Sequence, residues 1–183
     1  ADGLNWDLLN DGIGNPKNTK SMLLSHQTPP VMSRGVRDKA ETAVRAGMKF
    51  IQFTVRPEED AAAIDEYLKS MTPVVSPVPA DAEATKRGEA VFNKAGCAAC
   101  HPAPLYTDMQ NYDLGMGLYN DANQPFDTPT LVEVWRTAPY LHDGRSATIR
   151  DMLTVHNPGD KHGKTSDLTE QELNDLAQFV MTR

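Results

Sequence analysis

The chain has 183 residues, enough for one large domain or two small ones. Its net charge of −7 argues against nucleic-acid binding, and no apolar run approaches the roughly 18 residues of a membrane span. Hydrophobic residues make up only 39% of the chain, a little low for this size, so a bound apolar group would help fill a thin core.

In chain order, the first break in organisation is TPVVSPVP at 72–79. Its three prolines give it the composition of a semi-rigid linker, and it divides the chain into about 1–71 and 80–183. Residues 81–94 predict a helix. Asp81 is placed to cap it, and Ala84, Gly88, Val91 and Phe92 recur at helical spacing along one stripe. Glycine inside a helix costs up to about 1 kcal/mol relative to alanine, so Gly88 predicts close approach by a second helix.

The segment 127–156 opens as loop, with Pro129, Pro139 and Gly144. It then predicts a short helix at about 147–156, with Ile149, Met152, Leu153 and His156 on one face. Asn157, Pro158 and Gly159 stop that helix, and 157–167 reads as a polar, exposed connection. The last helix opens on a Thr169/Glu172 capping box, with Leu168 and Leu173 placed as a hydrophobic staple. Leu173, Leu176, Ala177 and Val180 form its apolar face.

The two cysteines of the chain lie in Cys97-Ala98-Ala99-Cys100-His101. A C-x-x-C pair can be a redox disulfide, half of a zinc site or the attachment point of a c-type haem. The βαβ context of a redox pair is missing, and no second ligand pair shows zinc-finger spacing. The adjacent histidine is what haem c needs, because two thiols add to the porphyrin vinyl groups and the next imidazole reaches the iron. The expected cofactor is therefore one covalent haem c. Such attachment implies a periplasmic or extracellular, cell-surface location.

An internal repeat runs through the chain. NTKSMLLSHQTPPVMSRG from Asn18 aligns with DTPTLVEVWRTAPYLHDG from Asp127 at an offset of 109. Thr19 meets Thr128, Thr28 meets Thr137, Pro30 meets Pro139 and Gly35 meets Gly144. With three more residues of offset, Ile64, Tyr67 and Leu68 meet Leu176, Phe179 and Val180. Asn5-Trp6-Asp7-Leu8 matches Asn111-Tyr112-Asp113-Leu114 at an offset of 106. The expected architecture is mainly α, a tandem pseudo-repeat of cytochrome c-like helical domains. Residues 80–183 form the complete domain. Residues 1–71 form a partial one whose own C-x-x-C-H is expected upstream of Ala1, in a longer parent protein with a second haem.

The string TPTLVEVWRTAPYLHDGRSATIRDML, preceded by C-x-x-C-H, resembles the C-terminal haem domain of bacterial di-haem cytochrome c peroxidases. It equally resembles the related enzyme that matures methylamine dehydrogenase. Thr128, Pro129, Thr130, Leu131, Thr137, Ala138, Pro139, Tyr140, His142, Asp143, Gly144 and Thr148 carry the likeness. Residues 1–71 are similar to the cytochrome part of large bacterial cell-surface proteins.

In the peroxidase-like family the sixth axial ligand lies 14 places after the H-D-G histidine, and that count from His142 reaches His156. The resemblance thus implies ligation by His101 and His156, where relatives have Met or Tyr. Met152 and then Met116 are the competing ligands. Met48, beside the repeat counterpart of His156, is either core or a ligand to the second haem. His142 is expected near the haem, bonded to a propionate or to backbone, without ligating the iron. Arg136 and Arg145 are candidate propionate partners, and Trp135 and Tyr140 candidate pocket walls.

Two nitrogen ligands favour electron transfer over direct peroxide cleavage. The expected function is an electron-transfer domain of a di-haem, peroxidase-like protein. Its partners would be a redox protein and the upstream domain of the same polypeptide. The other reading is a cell-surface binding or structural module with a non-catalytic or vestigial haem.

Overall fold

The structure, a computed structural model, describes Asn5, Trp6 and residues 12–183. Asp7 and Leu8 of the repeat lie outside the described residues. Helix α1 spans Ala40–Ala46 and continues as a wider turn through Gly47–Ile51, α2 spans Glu58–Ser70, α3 Ala82–Lys94, α4 Ile149–Leu153 and α5 Glu170–Met181. Two short antiparallel ribbons accompany them. Strands β1 (Asn5–Trp6) and β2 (Lys17–Asn18) form one, and β3 (Asn111–Tyr112) and β4 (Phe126–Asp127) the other. The fold is mainly α and cytochrome c-like.

Helices α3 and α5 cross at the core. Asp81 caps α3 by accepting the Glu83 and Ala84 backbone N–H groups at 2.9 and 3.1 Å. Helix α5 starts on its capping box: Glu172 N–H donates to Thr169 Oγ1 at 3.2 Å, and Glu172 Oε2 accepts from Thr169 N–H at 2.8 Å. Gly88 marks the crossing. A Cβ added there would run into the Asp175 carbonyl and lie 2.7 Å from Phe179 Cβ. Val91 and Phe92 of α3 pack with Leu173, Leu176, Phe179 and Val180 of α5 and with Ile149 and Leu153 of α4. Phe92, Phe179 and Tyr106 form an aromatic trio with centroids 5.1 to 6.3 Å apart. Arg87 clamps the rim of the crossing, donating to both Asp175 oxygens at 2.7 and 3.0 Å.

Helix α4 is shorter than its apolar periodicity predicts. Thr154 ends it, with its hydroxyl turned back to Arg150 O at 2.9 Å. A β-branched pair, Thr154-Val155, with such a back-bond is a poor continuation of a helix. His156 consequently lies beyond the helix, half-buried, with its backbone N–H on Asp151 O at 3.0 Å.

The repeat appears as paired contacts. Asn18 N–H donates to His142 O at 2.6 Å, and its counterpart Asp127 N–H donates to Ser33 O at 3.0 Å. Asn5 Nδ2 reaches Asp143 O at 2.5 Å, and its counterpart Asn111 Nδ2 reaches Arg34 O at 3.1 Å. The bridge Val31–Arg37 repeats as Tyr140–Ser146. The two halves thus hold each other through one motif used twice. Where α5 buries Leu176 and Phe179 completely, the counterpart positions of α2 are open, with Ile64 38% and Tyr67 67% exposed. The proline-rich segment 72–79 is bonded along the end of α5, through Ser76 Oγ to Met181 O at 2.8 Å and Gln178 Nε2 to Pro79 O at 2.9 Å.

Two outcomes follow for stability. Gly88→Ala gains about 1 kcal/mol of helix propensity but forces α3 off the Asp175 carbonyl. The net result is a loss of about 2 kcal/mol or more in urea unfolding. Lys94 and the Thr169 cap hold the Glu172 carboxyl down at about 2. A lowered carboxylate contributes stability above its unfolded value of 4.5, and that contribution fades as pH falls toward 2. Glu172→Gln should therefore flatten the acid limb of a melting-temperature profile between about pH 5 and 2.

Candidate functional site

The C-x-x-C-H run follows directly from the end of α3. Ala95 closes the helix with its N–H on Val91 O, and Gly96 turns the chain at φ 81°. A single tight turn over Cys97–Ala99 then brings His101 N–H to Cys97 O at 2.9 Å. His101 is buried, and its Nδ1 donates to Tyr106 O at 2.8 Å. That bond fixes the tautomer with a bare Nε2, the atom able to ligate a metal. The T-P-T stretch secures the same loop: Thr107 Oγ1 donates to Thr128 O at 2.6 Å and Thr130 Oγ1 to Leu105 O at 2.5 Å.

The ring of His162 lies close to that of His101. The ring centroids are 6.3 Å apart at an interplanar angle of 48°. His162 Nδ1 is buried with no hydrogen-bond partner. Burial lowers the pKa of both imidazoles, that of His162 to about 4 with a contribution from His101, so both are neutral at pH 7. Two imidazoles that bind one metal from opposite sides with bonds of about 2 Å bring their centroids to about 6 Å. The neighbour of His162, Gly163, has φ +85°, and a Cβ there would lie 3.5 Å from Cys97 Sγ. The loop therefore runs tightly against the cysteine turn.

The segment 157–167 is thus not the exposed connection that its composition suggests. Asn157 and Thr165 are buried within it. His162 shows no helical periodicity and sits among Gly, Asp and Lys, so the sequence pattern does not mark it. Its one signal was being a histidine close in sequence to a haem-type motif's domain end.

The other expected residues fall as follows. The structure records no ring contact between His156 and His101 among the described residues. Met152 packs against the hydrophobic core. Met116 lies in a loop whose carbonyl accepts from Arg145 at 2.6 Å. The His142 side chain is buried at the contact between the two halves, stacked on Phe126 at 4.0 Å and 3.5 Å from Asp121. Arg136 pairs with Glu133, and Arg145 with Asp143 at 2.7 Å. Tyr140 donates from its hydroxyl to Val134 O at 3.3 Å, and Trp135 Nε1 is buried without a partner.

Cys97 and Cys100 form no disulfide. Burial pushes the Cys97 thiol up to about 11 and that of Cys100 upward as well. A redox C-x-x-C has the opposite character, a thiol activated below its ordinary value. Among the described residues, no cluster of three or more His, Cys, Asp and Glu is arranged to hold a bare metal ion.

A family model for cytochrome c matches residues 85–183. The chain belongs to the cytochrome c family. Its cofactor is accordingly a covalent c-type haem, which the paired thiols, the neutral His101 and the orphaned His162 nitrogen fit. This cytochrome is 30% identical to hydrazine synthase subunit gamma of Kuenenia stuttgartiensis, over 97% of its own length and 67% of the relative's. The solved Kuenenia hydrazine synthase structure superposes on the whole chain and 77% of the matched chain, with a TM-score of 0.82 at 27% identity. The cytochrome is also 32% identical to the cytochrome-c peroxidase IdrP1 of Denitromonas iodatirespirans, over 65% of its length and 48% of the relative's. Against the methylamine utilization protein MauG of Methylorubrum extorquens the figures are 33%, 53% and 33%. The resemblance to the di-haem peroxidase and MauG-like family therefore holds, and the chain spans about two thirds of the first relative and about half of the peroxidase. No helix among the described residues is long and apolar enough to cross a membrane.

The thiol character of the site is measurable in apoprotein. At pH 8 iodoacetamide should label Cys97 at least about tenfold more slowly than a free cysteine, with the rate still rising toward pH 11.

Proposed function

We propose that this cytochrome is an electron-transfer unit whose haem is carried by Cys97 and Cys100 and bracketed by His101 and His162. The observation that carries this reading is the 6.3 Å apposition of the two buried rings. That apposition is why we read His162, rather than the counted His156, Met152 or Met116, as the second ligand.

A bound c-type haem supplies a reversible one-electron couple. The residues of the chain do the rest. Cys97 and Cys100, on one tight turn, offer two thiols side by side for thioether bonds. Tyr106 O holds His101 in the tautomer with Nε2 free to ligate, and burial shields that ring from water. His162 would supply the second imidazole to a bound haem. With His101 and His162 both bound, a haem held here would serve electron transfer rather than direct peroxide cleavage.

The repeat supports a further part of the same proposal. Residues 1–71 read as the remainder of a first haem unit whose C-x-x-C-H lies upstream, joined by the 72–79 linker to the 80–183 unit. The exposed Ile64 and Tyr67, counterparts of the buried Leu176 and Phe179, support this, since an upstream helix would cover them as α3 covers α5. His142, at the contact between the halves, then lies between the two haem units rather than on either iron. Covalent haem attachment supports a periplasmic or cell-surface location, and an electron-transfer role calls for a redox partner protein.

The test is spectroscopic, on full-length chain made with haem attachment machinery. His162→Ala should convert the ferric iron from low-spin six-coordinate to high-spin five-coordinate, and His156→Ala should leave the spectrum unchanged. The reverse pattern would return the ligand to His156. Turnover of hydrogen peroxide by the wild-type protein would contradict the electron-transfer reading.

A further inference from the structure

The His162 ring has no side-chain tether of its own, yet it is held across from His101. Its position is set by the loop, and the loop is organised around one buried side chain. Asn157 is 6% exposed and makes three side-chain hydrogen bonds inside the loop. Its Oδ1 accepts the backbone N–H of His162 at 2.8 Å. Its Nδ2 donates to Gly163 O at 2.8 Å and to Thr165 Oγ1 at 2.8 Å. Both residues bonded through backbone, 162 and 163, belong to the turn that presents the ring.

Two anchors tie this knot to the body of the protein. Thr165 Oγ1 donates to Leu153 O at 2.7 Å, at the end of α4. Lys164 N–H donates to Ala95 O at 2.9 Å, two residues before Cys97. Asp160 braces the outer turn, accepting the N–H groups of Thr165 and Ser166 at 3.0 and 2.9 Å. An asparagine suits the centre because it alone offers an acceptor and two donors on one short, uncharged group. Aspartate keeps the acceptor and loses both donors.

We propose that Asn157 is the positioning residue of the sixth ligand: it fixes the 162–163 turn and so holds the His162 imidazole over His101, setting how tightly the sixth position is closed. This rests on the reading of His162 as that ligand. In a holoprotein closed by a rigidly presented imidazole, carbon monoxide reaches the ferrous iron only when His162 leaves. Loosening the turn should raise the rate of that departure while the haem stays covalently attached and His101 stays bound.

The experiment compares wild type, Asn157→Ala, Asn157→Asp, Thr165→Val and His162→Ala as full-length holoproteins, by carbon monoxide binding to the ferrous form and by reduction potential. Asn157→Ala should bind carbon monoxide at least about tenfold faster than wild type, the scale expected from losing several buried hydrogen bonds. Asn157→Asp should fall between, and Thr165→Val should move in the same direction. A purely structural role would lower the melting temperature and leave carbon monoxide kinetics and potential where they were. If Asn157→Ala does not fold, Asn157→Asp and Thr165→Val carry the test, and rates and potentials matching wild type in both overturn the inference. His162→Ala separates the two levels. A six-coordinate low-spin spectrum in that variant sinks the ligand reading itself. Loss of the sixth ligand there, with wild-type kinetics in the Asn157 variants, sinks only the role of Asn157.

Discussion

The contact at Gly88 is the constraint on which the rest of the structure depends. Because position 88 has no side chain, α3 rests on the Asp175 backbone of α5, and the crossing fixes where α3 ends. The cysteine turn begins three residues beyond that helix, so its position and direction are inherited from the crossing. The same packing buries Phe92 and Phe179 against Tyr106, and the Tyr106 carbonyl is what orients His101. A substitution at residue 88, some distance from the C-x-x-C-H turn, would therefore be felt at His101.

The second organising feature is reuse. One pattern of strand, loop and bridge occurs in both halves, and each copy donates to backbone carbonyls of the other through equivalent groups. The exchanges Asn18 to His142 and Asp127 to Ser33 are mates under the repeat, as are Asn5 to Asp143 and Asn111 to Arg34. Charge breaks the symmetry. Lys17 pairs with the fully buried Asp121 at 3.1 Å and Lys20 with Asp127 at 2.9 Å, so lysines of the first half meet carboxylates of the second. Burial breaks it too. Helix α5 has α3 across its apolar face, whereas α2 presents Ile64 and Tyr67 to solvent.

How much was legible in the sequence depended on whether the signal was local. The Asp81 cap, the Thr169/Glu172 box and the apolar stripes of α3 and α5 are short-range features, and they placed both helices correctly. Gly88 announced a close approach because a glycine there needs a reason. The C-x-x-C-H motif and the H-D-G block carry their chemistry in adjacent residues, and the family match agrees with the cytochrome reading drawn from them. What escaped was chemistry assembled by a loop. Helix α4 was extended past Leu153 because Ile149, Met152, Leu153 and His156 keep the right spacing, although Thr154 and Val155 disfavour the helix. The 157–167 segment looked solvated because its polar residues satisfy one another rather than water. Nothing in a polar string says that Asn157 is its centre or that His162 faces inward. The family count points to His156, and the ring apposition at His162 is what the proposal of that residue rests on.

The most direct measurement of the central claim is near-infrared magnetic circular dichroism of the ferric holoprotein, whose low-spin charge-transfer band reports the pair of axial ligands. A band at the energy of bis-imidazole ligation is the expected result. A band shifted to the lower energy of imidazole–thioether ligation, or a high-spin spectrum with no such band, would contradict an iron bracketed by two histidines.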